Sequence, residues 1–331
     1  MRAVVHEKIA GLQGLSYRNI DEAQPQAGEV KIRLKTAGLN HRDLFVLHRH
    51  QPTDPPLIIG SDGAGIVAAV GEGVTNVQVG DEVIINPGLG WMENSEAPPK
   101  GFDIVGLPGH GTFAEQIILP AENIVPKPDY LTWEEAGVLS LAALTAYRAL
   151  FTRGKIAAEK TLFLPGIGSG VATFILQFAK AVGATVYVTS RSKEKCEQAL
   201  ELGADKAIDS NIDWEEALEG EKVDLIIESV GAATFNKSLS LLRPGGTIVA
   251  FGASAGDEIQ LNLRDFFYGQ YNLLGTTMGS AEEFKEMLQF IEKHQIRPVM
   301  DQIFSLDQFE QAFKRMENAD QFGKIGFKIE K

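Results

Sequence analysis

The sequence of 331 residues contains a single cysteine, Cys196, so no disulfide can form within the chain. No stretch approaches the roughly 18 apolar residues of a membrane-spanning helix. The opening residues, MRAVVHEKIA, lack the apolar core of a secretory signal. Disulfides accumulate in oxidising compartments, so these absences set the expectation of a reducing, cytoplasmic environment. A basic block is also missing, and the formal net charge is -13. Tracking nucleic-acid phosphates needs a positive surface, so nucleic acid is not an expected partner, and neither is a membrane. What is present is 44% hydrophobic and 23% charged residues, enough to bury a sizeable core in one large or two ordinary domains. Cys196 lies in SRSKEKCEQALELG, which reads as an ordinary helix rather than as the setting of a redox thiol.

The chain changes character along its length. Up to about residue 125 it reads as short strands punctuated by Gly and Pro: VKIRLKTAG, GAGIVAAVGEGV, GDEVIINPG and FAEQIILPAENIVPKP. That pattern indicates a compact, mostly antiparallel β domain. The segment from Gly88 to Gly109 is polar and rich in glycine and proline, and loops of that length are usually functional or mobile. From about residue 132 helices and strands alternate. WEEAGVLSLAALTAYRAL reads as a helix and TLFLPG as a buried strand. VATFILQFAKAVG then places Val171, Phe174, Ile175, Phe178, Ala179 and Val182 at helical spacing. TVYVTSR, VDLIIESV and TIVAFG read as further strands, with TFNKSLSLLRPGG as a helix ending at glycine. This alternation predicts an α/β fold with a doubly wound parallel sheet and right-handed crossovers.

The strand TLFLP runs through GIGSGVA directly into a helix. A pyrophosphate needs backbone N–H groups aimed at it, and a helix N-terminus supplies those donors and a favourable dipole. Gly166, Gly168 and Gly170 keep the turn bare around Ser169 and Val171, and Ala172 lets the helix lie close to the strand. The spacing departs from strict G-x-G-x-x-G, so which residue fills each glycine role stays open. NAD sites usually carry an acid about 20 residues beyond the turn, on the ribose hydroxyls. No acid occurs from Ala184 to Lys193. Ser190, Arg191 and Lys195 stand there instead, and cationic groups suit a 2′-phosphate. The expected cofactor is therefore NADP(H).

The chain resembles the medium-chain dehydrogenase/reductase superfamily, of the zinc-type alcohol dehydrogenase-like kind. The stretches that carry the resemblance are AGLNHRDL, GSDGAGIVAAVGEGV, VGDEV, GTFAEQIILP, LTAYRAL, the glycine turn with its helix and following strand, LLRPGGTIV and FGKIGFKI. It implies a GroES-like β-barrel catalytic domain over 1–125 and 265–331, and a Rossmann domain over 126–264, with the cofactor in the cleft between them. It also implies that Thr145 approaches the nicotinamide. Val230 and Gly231, with Phe251 and Gly252, would surround the ring and ribose, and Lys324 would reach the cofactor phosphates. The strand NLLGTTM matches the edge along which relatives pair into homodimers.

Zinc in that family is held by a cysteine, a histidine in a GHE motif and a third ligand. Here Asn40 takes the cysteine's place, and Gly60, Ser61 and Asp62 replace GHE. An amide and a hydroxyl are poor ligands for a borderline-soft ion, and the loop from Asn86 to Gly106 lacks the cysteines of a structural zinc lobe. No zinc is expected. The paired His48 and His50 read as surface or loop residues, and His110 as a loop residue. Zinc-free members of the family reduce quinones or enones, whose conjugation spreads the developing charge onto oxygen, so a few hydrogen-bond donors suffice. Asn40 and Asp43 are the candidate catalytic residues, and a structural loop role remains open for both. The expected activity is NADPH-dependent hydride transfer to a quinone or α,β-unsaturated carbonyl. An alcohol dehydrogenase with atypical metal ligands and a non-catalytic NADPH-binding protein are the alternatives.

Overall fold

A computed structural model describes residues 1–329 of the chain. The chain forms two compact units, Met1–Ala142 with the segment from Gly279 onward, and Ala143–Met278. Beside the boundaries expected near 125 and 265, these units divide at 142 and 279. On the first side, the helix Trp133–Gly137 packs on the strand Glu29–Leu39, where Thr36 Oγ1 donates to the Trp133 carbonyl at 2.5 Å. On the second, the strand Asn272–Gly275 pairs with Leu242–Ala250 and so completes the sheet of the other unit.

The first unit is built on a seven-stranded sheet. Its path runs Ile124–Pro126, Glu82–Ile85, Asp62–Val70, Glu29–Leu39, Lys324–Lys328 and Met300–Ser305, and Gln116–Pro120 pairs with Glu29–Leu39 as well. Alternate residues of the long strand, Val30, Ile32 and Leu34, are buried, as the period of two requires. Phe113 packs edge-on against Phe327 with ring centroids 4.8 Å apart. The Gly88 to Gly109 stretch is pinned rather than structureless. Gly88–Leu89 pairs with Asp103–Ile104, buried Trp91 meets Phe102 edge-on, and the Trp91 carbonyl accepts from Ala281 N at the start of the helix Ala281–His294. His50 is buried rather than at the surface: its Nδ1 lies 2.8 Å from His6 Nδ1. Each ring's Nε2 faces a carbonyl, Gly11 for His6 and Pro55 for His50.

The second unit holds a six-stranded parallel sheet. Numbered along the chain, Thr161–Leu164, Thr185–Ser190, Lys206–Asp209, Val223–Glu228, Leu242–Ala250 and Asn272–Gly275 lie in the order 3-2-1-4-5-6. This is the doubly wound arrangement that reverses direction beside its first strand. Strands covered on both faces read as continuous apolar runs, and Leu162, Phe163 and Leu164 are all buried. Helix Gly170–Ala181 covers the sheet with Phe174, Ile175, Phe178 and Ala179. Two elements differ from the sequence pattern: WEEAGVLSLAALTAYRAL, read as one helix, breaks into Trp133–Gly137 and Ser140–Tyr147. The helix Phe235–Leu241 stops before Arg243, and Pro244, Gly245 and Gly246 belong to an irregular strand start, with Gly245 at φ 77°. Proline at that point lacks the N–H a helix would need.

Gly38 sits where strands of the first unit cross closely, paired with Gly326 on one side and Asp62 on the other. A Cβ there would lie 2.8 Å from Val138 Cα and 3.0 Å from the Gly137 carbonyl, both backbone atoms that cannot swing away. Gly38→Ala is expected to lower unfolding stability by roughly 1–3 kcal/mol through overpacking. Urea titration of the variant checks this, and wild-type stability would show that the Gly137–Val138 segment yields.

Candidate functional site

The glycine turn owes its shape to two positive φ angles, 74° at Gly166 and 135° at Gly168. L-residues with side chains rarely adopt these values, so Gly166 and Gly168 are the two glycines the turn requires conformationally. The turn is tied to the second strand: Gly166 N donates to Thr189 Oγ1 at 3.1 Å and Ile167 N to the Thr189 carbonyl at 2.8 Å. Ser169 caps the helix, its Oγ accepting from Ala172 N at 3.1 Å. An α-helix leaves its first N–H groups without intrahelical carbonyls, so Gly170 and Val171 present donors at this end. These features fit a dinucleotide pyrophosphate: bare backbone, open donors and the positive end of a twelve-residue helix.

Val230 closes on the same turn. A Cβ on Gly166 would come within 2.9 Å of Val230 Cγ2. The Val230–Gly231 corner is organised by Glu228, a residue that sequence reasoning passed over. Its carboxylate is buried and accepts from Val230 N at 2.7 Å, Gly231 N at 3.2 Å and the hydroxyls of Thr234 and Ser238 at 3.0 Å. The acid in IIESVG, placed at a strand end before a glycine, was the available signal. Phe251 and Gly252 follow the next strand, and Phe251 N donates to the Glu228 carbonyl at 3.0 Å. Thr145 is buried in the helix Ser140–Tyr147. At the end of the second strand Ser190 is buried, and its Oγ accepts from Ser192 N at 3.1 Å. Arg191 is exposed on the bend that follows, and Lys195 is half-buried in the first turn of the helix Lys193–Glu201.

In the first unit a second polar group of residues surrounds the start of the helix His41–Arg49. Asn40 N donates to Asp43 Oδ2 at 2.8 Å, which closes the helix cap. The Asn40 side chain faces inward. Its Nδ2 donates to Asp62 Oδ2 at 2.9 Å, and its Oδ1 accepts from Lys324 Nζ at 2.6 Å. Lys324 also donates to the Leu39 carbonyl at 3.2 Å and approaches Asp62 Oδ2 at 3.3 Å. The other Asp62 oxygen accepts from Leu141 N at 2.7 Å. Lys324 is 3% exposed and Asp62 0%. An ammonium has three donors, and all three are used here. Lys324, expected at the cofactor phosphates, and the Asn40 amide, a candidate donor to substrate, here make these internal contacts.

The residues at this place do not fit zinc. They offer an amide, a carboxylate, a backbone carbonyl and an ammonium, with neither thiolate nor imidazole. Among the described residues no three His, Cys, Asp or Glu side chains converge as a metal set. Asp43 is fully buried, and its Oδ1 has no hydrogen-bond partner, the Arg42 guanidinium standing 3.9 Å away. Burial pushes the Asp43 carboxyl up to about 6, against the pull of Arg42 and of the Asn40 N–H. A carboxyl whose folded value is raised contributes stability below its ordinary range and loses it as pH rises through the folded value. Asp43→Asn keeps an oxygen for the cap and removes the titration. Relative to this variant, the wild type is expected to lose roughly 3 kcal/mol between pH 4 and pH 7. Parallel urea titrations across that range check the difference, and coincident pH profiles would refute the assignment.

Comparison with known proteins agrees with this architecture. Residues 26–129 match the family model of the alcohol dehydrogenase GroES-like domain, and residues 170–293 that of the zinc-binding dehydrogenase. A zinc-type alcohol dehydrogenase-like protein of Schizosaccharomyces pombe is 34% identical, the match covering 100% of this chain and 99% of that protein. Crotonyl-CoA reductase of Streptomyces collinus is 29% identical over 82% of this chain and 68% of its own length. A crystal structure of an NAD-dependent alcohol dehydrogenase superposes with a TM-score of 0.92 at 33% identity, covering 100% of both chains. The GroES-like unit, the parallel dinucleotide-type sheet and these full-length relatives make the chain an oxidoreductase of the medium-chain dehydrogenase/reductase superfamily.

Proposed function

We propose that this oxidoreductase uses NADPH to reduce quinones or α,β-unsaturated carbonyl compounds without a catalytic metal. The observation that carries this reading is the Asn40, Asp62 and Lys324 group, whose oxygens already hold an ammonium and whose chemistry does not suit zinc. Acidifying a saturated alcohol calls for a Lewis acid, whereas a conjugated carbonyl accepts hydride and delocalises the charge itself. The S. collinus relative is by name a reductase of crotonyl-CoA, whose acyl group is such a conjugated carbonyl.

When bound, the nicotinamide supplies the hydride. The chain's own residues bind and orient. The Gly166–Gly170 turn receives the pyrophosphate, with Ser169 fixing the helix cap and Val171 N–H among the open donors. Thr145, Val230, Gly231, Phe251 and Gly252 position the nicotinamide and ribose, and Glu228 sets the Val230–Gly231 corner. Ser190, Arg191 and Lys195 receive the 2′-phosphate. Asn40 and Asp43 act by holding their loop in place, since their polar atoms face inward. A second reading, NAD-dependent alcohol oxidation, has the solved NAD-dependent neighbour in its favour.

Titration of the purified protein with both cofactors, followed by an acceptor screen, separates the two. NADPH is expected to bind at least about tenfold more tightly than NADH, and Arg191→Ala to remove most of that difference. Turnover is expected with quinones or enones and to survive chelation. Preference for NAD with oxidation of simple alcohols would refute the reading.

We also infer a homodimer formed along the strand Asn272–Gly275. This strand is the last of its sheet, Leu273 on it is 41% exposed, and the neighbouring helix Leu263–Tyr268 buries none of its residues. An apolar sheet edge of this kind invites pairing with a second copy. Light scattering after size exclusion is expected to give a dimer for the wild type and a monomer for Leu273→Arg. A monomeric wild type would overturn the inference.

A further inference from the structure

The contacts of Lys324 go beyond the reductase reading and do not rest on it. Its Nζ is surrounded by three oxygens supplied from two places in the chain: the Leu39 carbonyl at 3.2 Å and Asn40 Oδ1 at 2.6 Å from one, and Asp62 Oδ2 at 3.3 Å from the other. The strand Lys324–Lys328 delivers the lysine by pairing with Glu29–Leu39, which places Ile325 opposite Leu39. Asp62 lies on the next strand over, opposite Gly38. The three acceptors match the three N–H bonds of an ammonium. Both Asp62 oxygens are engaged, one by Leu141 N and the other by Asn40 and Lys324, so among the described residues the lysine is the one formal charge opposing this buried carboxylate within hydrogen-bonding distance.

We propose that this is a built cation site whose resident ion is the chain's own Lys324 ammonium, and that a chain lacking that ammonium binds a small alkylammonium ion in its place. The selectivity follows from the donor set. Oxygens at these distances accept N–H bonds, whereas a bound metal would draw oxygen ligands to about 2.0–2.6 Å. Zinc has no nitrogen or sulfur ligand here. Asn40, where the family resemblance places a metal ligand, and Asp62, where it places the acid of the GHE motif, thus share an organic cation. Leaving Asp62 buried without that cation strands an uncompensated charge, the costly half of breaking a buried pair.

The test uses the full chain. Lys324→Ala removes the ammonium and leaves a space of the shape of n-propylammonium. Its Tm is expected to fall by roughly 5–15 °C. Added n-propylammonium chloride is expected to restore at least about a third of that loss, following mass action for a ligand of the folded state. Sodium chloride at equal ionic strength and tetramethylammonium, which has no N–H, are expected to restore none. The double variant Asp62→Asn with Lys324→Met removes both charges and is expected to be more stable than Lys324→Ala, which keeps the test open if the single variant folds poorly. Affinity for NADPH, followed by cofactor fluorescence, is expected to stay within about twofold of wild type in the double variant. An unchanged Tm for Lys324→Ala, rescue by sodium or by Zn2+ rather than by the alkylammonium, or a loss of NADPH affinity of about tenfold would each overturn the proposal. The last result would return Lys324 to the cofactor phosphates.

Discussion

Taking the Asp62 carboxylate out of water costs several kcal/mol, and the first unit is arranged around recovering that cost. Three groups converge on the carboxylate: the Leu141 N–H, the Asn40 amide and the Lys324 ammonium. Each comes from a different part of the chain, so satisfying one side chain fixes the relative positions of three segments. The C-terminal strand must lie beside Glu29–Leu39, the helix His41–Arg49 must begin where Asn40 can turn inward, and the segment after Val138 must approach closely enough to offer its N–H. That approach is possible because Gly38 has no side chain to obstruct Gly137 and Val138. Packing and electrostatics are here one constraint: the glycine contact exists where the carboxylate needs a donor.

The second unit solves a similar problem with opposite intent. Glu228 is also buried and also saturated, but by neutral donors drawn from its own following turn. A carboxylate that collects N–H and hydroxyl groups from the next ten residues holds a strand-end corner rigid without bringing in a distant segment. The bare glycine turn lies against this corner through Val230, so the two strand ends that form a dinucleotide cradle are set by one local network and one contact. Charge in the first unit joins remote segments. Charge in the second shapes a local corner.

This difference accounts for what was legible in the sequence. The strand, the glycine turn and the helix beginning at Gly170 are local features, governed by φ sterics and by apolar periods of two and 3.6, so they can be read from a dozen residues. The alternation of those elements predicts a doubly wound parallel sheet, whereas its 3-2-1-4-5-6 order emerges only from the strand pairings. Lys324 was not legible. Its partners Asp62, Asn40 and Leu39 lie 262, 284 and 285 residues away along the chain, and no local pattern encodes such a meeting. The family resemblance implies a phosphate ligand at Lys324, and its internal partners emerge only with the strand pairing of Ile325 with Leu39. The inward turn of Asn40 was hidden for the same reason. The sequence shows an amide where a metal ligand is expected, but what the amide faces depends on a strand from the far end of the chain. The long segment after Gly88 reads as a loop because its anchors are distant in the chain, among them the Trp91 carbonyl's contact with the helix beginning at Ala281.

The exchange of metal for ammonium bears directly on chemistry under the proposed function. A zinc ion with an open coordination position can bind an alcohol oxygen and lower its pKa, because it accepts further lone pairs. An ammonium accepts none, and each of its three N–H bonds is already directed at an oxygen of the chain. It can neutralise Asp62 and hold Asn40, but it cannot acidify an alcohol. A site so arranged suits an acceptor that needs no such activation. In a conjugated carbonyl the electrons arriving with the hydride pass onto oxygen through the substrate's own π system, and the protein's main task becomes orientation. Under the proposed function, the oxygen-only surroundings of Lys324 and the glycine turn divide the labour: buried charge holds the scaffold, and backbone donors hold the cofactor.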